Sequence, residues 1–169
     1  MEITTAAPFL AYFESVRGRT RRIARCIPAE HLEWRPRAGA FSPGDLVRHL
    51  GAMERWMFAE NVQGRPSRYA GCGTELAEGL PAVLAYLDAM HASAVRIFEG
   101  LDPEDLRRPC TTPAGATLPT WKWLRAMVEH EIHHRGQIYL LLAEFGVPTP
   151  PLYGLTSEEV IARGVAPRA

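Results

Sequence analysis

Val128-Glu129-His130-Glu131-Ile132-His133-His134-Arg135-Gly136-Gln137 places three of the chain's six histidines within five positions of one long segment. At about 100° per residue in an α-helix, His130 and His134 stand one turn apart on one face. Their Cβ atoms are then roughly 5–6 Å apart, so both imidazoles can reach one metal ion at about 2.0–2.1 Å. The same count aligns them with Trp123, Met127, Ile138, Leu141 and Phe145, which makes theirs the buried stripe. His133 is turned about 60° from His130 and about 100° from His134, towards Ala126, Gln137 and Leu140, and is expected at the rim. Glu131 points about 100° away from His130. The helix is expected to begin near Pro119 or Thr120 and to stop before Gly146, a suitable C′ residue with Pro148 just beyond. Gly136 in mid-helix costs about 1 kcal/mol relative to alanine, which predicts a close approach by a neighbouring backbone or loop.

Three further helices are legible upstream. Phe9, Leu10, Phe13, Val16 and Ile23 recur at helical spacing between Ala7 and Cys26, and Arg17, Arg19, Arg21, Arg22 and Arg25 fall on what is expected to be a solvated face. A second helix starts at Ser42, an N-cap followed by Pro43 and by Asp45 in the first turn, and is expected to run to about Val62. His49 shares a stripe there with Leu46, Met53 and Trp56, while Arg48 and Arg55 point elsewhere. A third helix opens at Thr74 or at Gly79-Leu80-Pro81 and runs to about Glu99; its His91 lacks a histidine at i+3 or i+4 and is expected to serve surface or packing. Between the third and fourth helices, Thr111 to Thr117 suggests a small hairpin excursion, and Thr156-Ser157-Glu158-Glu159 suggests a short capped closing helix. The expected fold is all-α: a four-helix bundle in one domain, residues 1–169, with a metal site between its second and fourth helices.

Composition limits the function classes. Lys+Arg and Asp+Glu both number 19, so no basic footprint exists for nucleic acid. The apolar run Ile138 to Ala143 is far short of the roughly 20 residues that span a bilayer, and residues 1–20 lack the pattern of an export signal, so no membrane partner and a cytoplasmic location are expected. Cys26, Cys72 and Cys110 form no CxxC pair and are expected to be small buried or half-buried thiols.

The chemistry therefore rests on histidines. His49, His130 and His134 each lie on the apolar stripe of their helix, and three neutral imidazoles on one divalent ion would offset the cost of burying them while leaving coordination positions open. His130-Glu131-Ile132-His133-His134 also spells HExxH, but no histidine follows it to act as the third ligand of a metalloprotease.

Phe41-Ser42-Pro43-Gly44-Asp45-Leu46-Val47-Arg48-His49-Leu50, together with His130-Glu131-Ile132-His133-His134-Arg135-Gly136-Gln137, resembles the DinB-like (DinB/YfiT) superfamily of bacterial metal-binding four-helix-bundle proteins over roughly Phe9 to Val147. The resemblance implies an up-down-down-up bundle, often a homodimer, with a divalent ion held at the positions of His49, His130 and His134. It is similar, too, to the bundle domains of enzymes that use bacillithiol or mycothiol. The expectation is a metalloenzyme with Zn²⁺, Ni²⁺ or Fe²⁺, a thiol-dependent S-transferase or a metal-dependent hydrolase, acting on a small thiol or electrophile. Glu131 and His133 are candidates for moving protons. The alternative is a non-catalytic, metal-stabilised stress-response or dimerisation module.

Overall fold

The computed structural model describes residues 2–165, and they are mostly helical. Helix α1 (Ala6–Ala24) is followed by α2 (Pro43–Met53), which continues through a π-helical turn (Glu54–Phe58) into the single turn α3 (Ala59–Asn61). Then come α4 (Leu80–Glu99), the short α5 (Pro103–Arg107), a hairpin of β1 (Pro109–Thr111) and β2 (Thr117–Pro119), the long α6 (Thr120–Glu144) and α7 (Ser157–Val165). The hairpin is antiparallel, with Cys110 opposite Leu118. Both α1 and α2 pack against α4 and against α6. Among the described residues no helix is long and apolar enough to cross a membrane.

Local chemistry accounts for the boundaries. At α2, Ser42 and Asp45 form the reciprocal capping box, with Pro43 in the first turn. Gly79, at φ 76°, supplies the left-handed turn that starts α4 and removes Thr74 as its origin. Asp102 caps the short α5 in the same reciprocal manner. At α7 the Thr156 backbone N–H donates to Glu159 Oε2 and the Glu159 N–H to Thr156 Oγ1, as the pattern predicted.

The apolar core is two clusters rather than one. Phe9, Phe13, Phe58, Phe98 and Leu124 form one; Ile23, Leu46, Leu50, Leu87, Ile138 and Leu142 form the other. At the level between them each long helical segment contributes a buried polar side chain: Arg17 and Thr20 from α1, Glu54 from the π-helical turn, His91 from α4, and Glu131, His134 and Arg135 from α6. This layer corrects one expectation and sharpens another. Arg17 is not on a solvated face; it is 1% exposed and ion-paired with Glu54 and Glu131. His91 takes the packing alternative, buried against Phe13, and is also bonded: its Nδ1 lies 2.8 Å from Glu54 and its Nε2 2.7 Å from Glu14. These two carboxylates raise its pKa against the opposing effect of burial.

Two helix-level details also differ from expectation. The π-helical turn shifts the side-chain register, so Met57 and Phe58 turn inward, while Trp56 lies outside the core between Arg55 and Arg68. Among the described residues, no atom outside its own helical turn lies within 4 Å of where a Gly136 Cβ would sit, so the expected close approach is not found there. Gly18 in α1 is equally open. Gly18→Ala is therefore expected to stabilise the fold by about 1 kcal/mol, read as a rise of roughly 2–4 °C in Tm; a fall would mean that the site is more crowded than its surroundings indicate.

Candidate metal centre

The geometry at the three histidines begins with the clamp that sets α2. Gly44 approaches the Leu32 carbonyl so closely that a Cβ would stand 2.9 Å from it and 2.7 Å from the Glu33 carboxylate. Arg48, fully buried, donates to Glu33 at 2.8 Å, to Asp45 at 3.0 Å, and to the carbonyl oxygens of Cys72 at 2.8 Å and Ala77 at 3.1 Å. These bonds fix the rotational setting of the first turns of α2, and His49 is the next residue. Its imidazole projects towards α6, where His130 and His134 stand one turn apart.

The rings meet. His49 Nε2 lies 3.1 Å from His130 Nε2, and one nitrogen from each of His49, His130 and His134 lies within 4.8 Å of the other two. Ring centroids are separated by 5.0 Å for His49 and His130, 4.7 Å for His49 and His134, and 4.5 Å for His130 and His134. Two nitrogens bound tetrahedrally at about 2.0–2.1 Å stand roughly 3.3–3.4 Å apart, close to the separation of the two Nε2 atoms.

Two of the three remaining ring nitrogens are held by neighbours. His49 Nδ1 is 2.8 Å from the Tyr69 hydroxyl, and His134 Nδ1 is 2.7 Å from Gln137 Oε1. Because an amide oxygen only accepts, His134 donates its Nδ1–H and presents a bare Nε2. The Tyr69 hydroxyl can donate or accept, so the Nε2 atoms of His49 and His130 either share one proton in a hydrogen bond or, with both protons on Nδ1, turn two lone pairs towards a cation. Hydrogen bonds of this kind on the far nitrogen fix tautomer and ring orientation in metal-ligating histidines.

Electrostatics favour the neutral ligand form. Burial pushes His49 down to about 4 and His130 down to about 3, with the neighbouring imidazoles adding to both, and burial also lowers His134. Protons should therefore compete poorly with a metal ion. Between pH 7.5 and 6.0, zinc affinity measured by competition with a chromophoric chelator is expected to fall by less than about threefold, whereas three ordinary imidazoles of pKa about 6.5 would lose roughly 50-fold. A loss of that larger size would show that the rings are solvated.

The proton-moving candidates separate. His133 is exposed at the rim, its ring 4.9 Å from that of His134 and its Nε2 accepting from the Gln137 amide at 3.3 Å. Glu131 is turned to α1: Oε1 accepts from Thr20 Oγ1 at 2.6 Å and Oε2 lies 2.9 Å from Arg17. That engagement removes Glu131 from the donor set and speaks against its expected role as a shuttle. Tyr69 and Gln137 carry roles the sequence reading did not assign. Gln137 follows His134 by three positions on the helix, a visible signal, whereas Tyr69 sits in a loop with no spacing to mark it.

The DinB superfamily model matches residues 12–138, a span that contains all three histidines. The chain belongs to the DinB superfamily. Among the superfamily's proteins, YjoA of Bacillus subtilis is 29% identical over 147 residues, covering 85% of this chain and 93% of YjoA. The solved structure of that DinB-like protein aligns with a TM-score of 0.70 at 25% identity over 87% of this chain and 97% of that one. A DinB-like protein from Bacillus cereus aligns with a TM-score of 0.74 at 16% identity, over 88% and 97% of the two chains, which extends the likeness in fold.

Proposed function

We propose that this DinB-superfamily chain is a divalent-metal protein, an up-down-down-up four-helix bundle in which His49, His130 and His134 hold Zn²⁺, Ni²⁺ or Fe²⁺, and that it works as a thiol-dependent S-transferase or a metal-dependent hydrolase. The observation that carries the reading is the meeting of three uncharged imidazoles from α2 and α6, with two Nε2 atoms 3.1 Å apart and no carboxylate in the donor set. Bound there, the ion keeps its full charge and supplies Lewis acidity that lowers the pKa of a coordinated thiol or water. Tyr69 and Gln137 keep His49 and His134 aimed. We assign proton uptake and release to solvent to His133, which is exposed and within reach of Gln137.

Elemental analysis of protein purified without a His-tag tests the site, with His49→Ala alongside. Near-stoichiometric metal in the wild type and its loss in the variant are expected; no metal in either would end the reading. A second reading has its own support, because the donors sit on segments 81 positions apart, so an ion would tie α2 to α6. If chelation abolishes thiol-dependent turnover while the melting curve barely moves, the enzyme reading holds; a large fall in Tm with no turnover on thiol or ester panels favours the staple. A homodimer fits either version: Ile132, Tyr139 and Leu140 are exposed along α6 beside the open Gly136.

A further inference from the structure

We propose that His91 carries both of its ring protons at neutral pH, and that this buried imidazolium is a proton-dependent clasp joining α1, α4 and the π-helical turn. The clasp stands apart from the three-histidine set and does not depend on a metal.

Both nitrogens of the ring face carboxylate oxygens. Nδ1 lies 2.8 Å from Glu54 Oε1, and Nε2 lies 2.7 Å from Glu14 Oε2. A neutral imidazole has one N–H and one bare nitrogen, and an ionised carboxylate only accepts, so a neutral ring would set a lone pair against one of the two anions. The far oxygen of each carboxylate is taken by an arginine: Arg17 donates to Glu54 Oε2, and Arg21 donates to Glu14 Oε1 at 2.5 Å. Those guanidiniums favour the ionised form of both acids, which leaves the proton on the ring.

The wider series makes the same demand. Glu131, Arg17, Glu54, His91, Glu14, Arg21 and Asp88 form an unbroken run of pairs from α6 through the core to the surface of α4. Sign alternates at every step only if His91 is a cation. Thus α1 presents Glu14, Arg17 and Arg21, the π-helical turn presents Glu54, and α6 reaches the ring through Glu131. Arg55 is turned instead to Ser93 and Glu60, and on α2 Asp45 and Arg48 pair with one another. Phe13 lies against the ring at 5.4 Å. Burial opposes the charge, but the bonds to Glu54 and then to Glu14 outweigh it and raise the pKa.

Histidine also makes the clasp releasable. An arginine here would stay charged at every pH, whereas the ring loses its proton as pH rises through its raised pKa. The unfolded chain gives up that proton near pH 6.5. The stability that His91 contributes is therefore complete below that pH and is lost on the alkaline side. Release leaves Glu14 and Glu54 facing an uncharged ring and removes the link between α4 and its two neighbours.

Nuclear magnetic resonance of the full chain, with its histidine rings labelled on nitrogen, reads the protonation directly. The His91 signals are identified by their proximity to the Phe13 ring and by their absence from His91→Gln. Both nitrogens are expected to be protonated at about pH 7.5, one unit above the ordinary histidine value of about 6.5. Thermal melts read the consequence. His91→Gln should melt several degrees below wild type at about pH 6, and the gap should narrow to about half or less by about pH 9. Comparing the two proteins at each pH cancels the other groups that titrate. A His91 ring with one bare nitrogen at pH 7.5 overturns the proposal, as does a gap that stays constant or widens as pH rises. If His91→Gln does not fold, the titration of the wild-type ring decides alone: both protons retained past about pH 8 support the clasp, and loss near 6.5 ends it.

Discussion

Replacing Arg17 with methionine is expected to lower Tm by roughly 6–20 °C, the equivalent of about 3–5 kcal/mol in a chain of this size. Arg17 is 1% exposed, and its guanidinium is the shared partner of Glu54 and Glu131. Burying this ion pair is costly in itself, and the pair offsets that cost only while both carboxylates face a cation. Methionine approximates the stem of the side chain but leaves two buried carboxylates without their guanidinium. Glu131 already feels burial, which raises its pKa against the pull of Arg17 and Thr20. The double variant Arg17→Met/Glu131→Gln should therefore recover part of the loss, because one orphaned charge is gone, and the two substitutions will not be additive. Thermal melts of the wild type, the single variants and the double variant decide the matter. A single variant melting within about 2 °C of wild type would mean that the polar layer contributes nothing to stability.

That layer also marks where the sequence stops being readable. Helix limits, the Ser42 and Thr156 caps and the small hairpin were legible because each depends on residues a few positions apart, whose spacing or cap chemistry acts locally. His130 and His134 were legible for the same reason: one turn of helix brings them together whatever surrounds them. His49 was recognisable as core-facing from its own stripe, although the clamp of Arg48 on Glu33, Asp45 and two loop carbonyls that sets its direction was not. Arg17 was misread, and the ionic partners of His91 were not foreseen, because Glu54, Glu131 and Glu14 lie on other helices or at distances no periodicity encodes. Trp56 was misplaced by a single extra residue in the π-helical turn, which rotates everything after it. Tyr69 escaped notice because a loop has no periodic face, and only the folded chain brings its hydroxyl to His49.

His130→Ala is expected to weaken zinc binding by roughly 10²–10⁴-fold, because one of three protein ligands then contributes nothing to a site whose total binding energy is on the order of 10 kcal/mol or more. The substitution should leave the fold in place: His130 is only partly buried, and its Nε2 meets His49 rather than a backbone group. Gln137→Ala makes the finer distinction. Gln137 donates no ligand atom, yet its Oε1 holds His134 Nδ1 at 2.7 Å and its amide reaches His133, so its loss should cost about 10–100-fold in affinity through misorientation of His134. Competition titrations at pH 7.5, beside melts with and without excess zinc, measure both. A ligand that binds only the folded chain adds about 4 kcal/mol of stability at a thousand times its Kd. The zinc-dependent rise in Tm should accordingly shrink in Gln137→Ala and nearly disappear in His130→Ala. If His130→Ala binds as tightly as wild type, the meeting of His49, His130 and His134 is a packing arrangement of neutral rings; if it fails and Gln137→Ala matches wild type, the ring of His134 is held by its walls and not by its hydrogen bond.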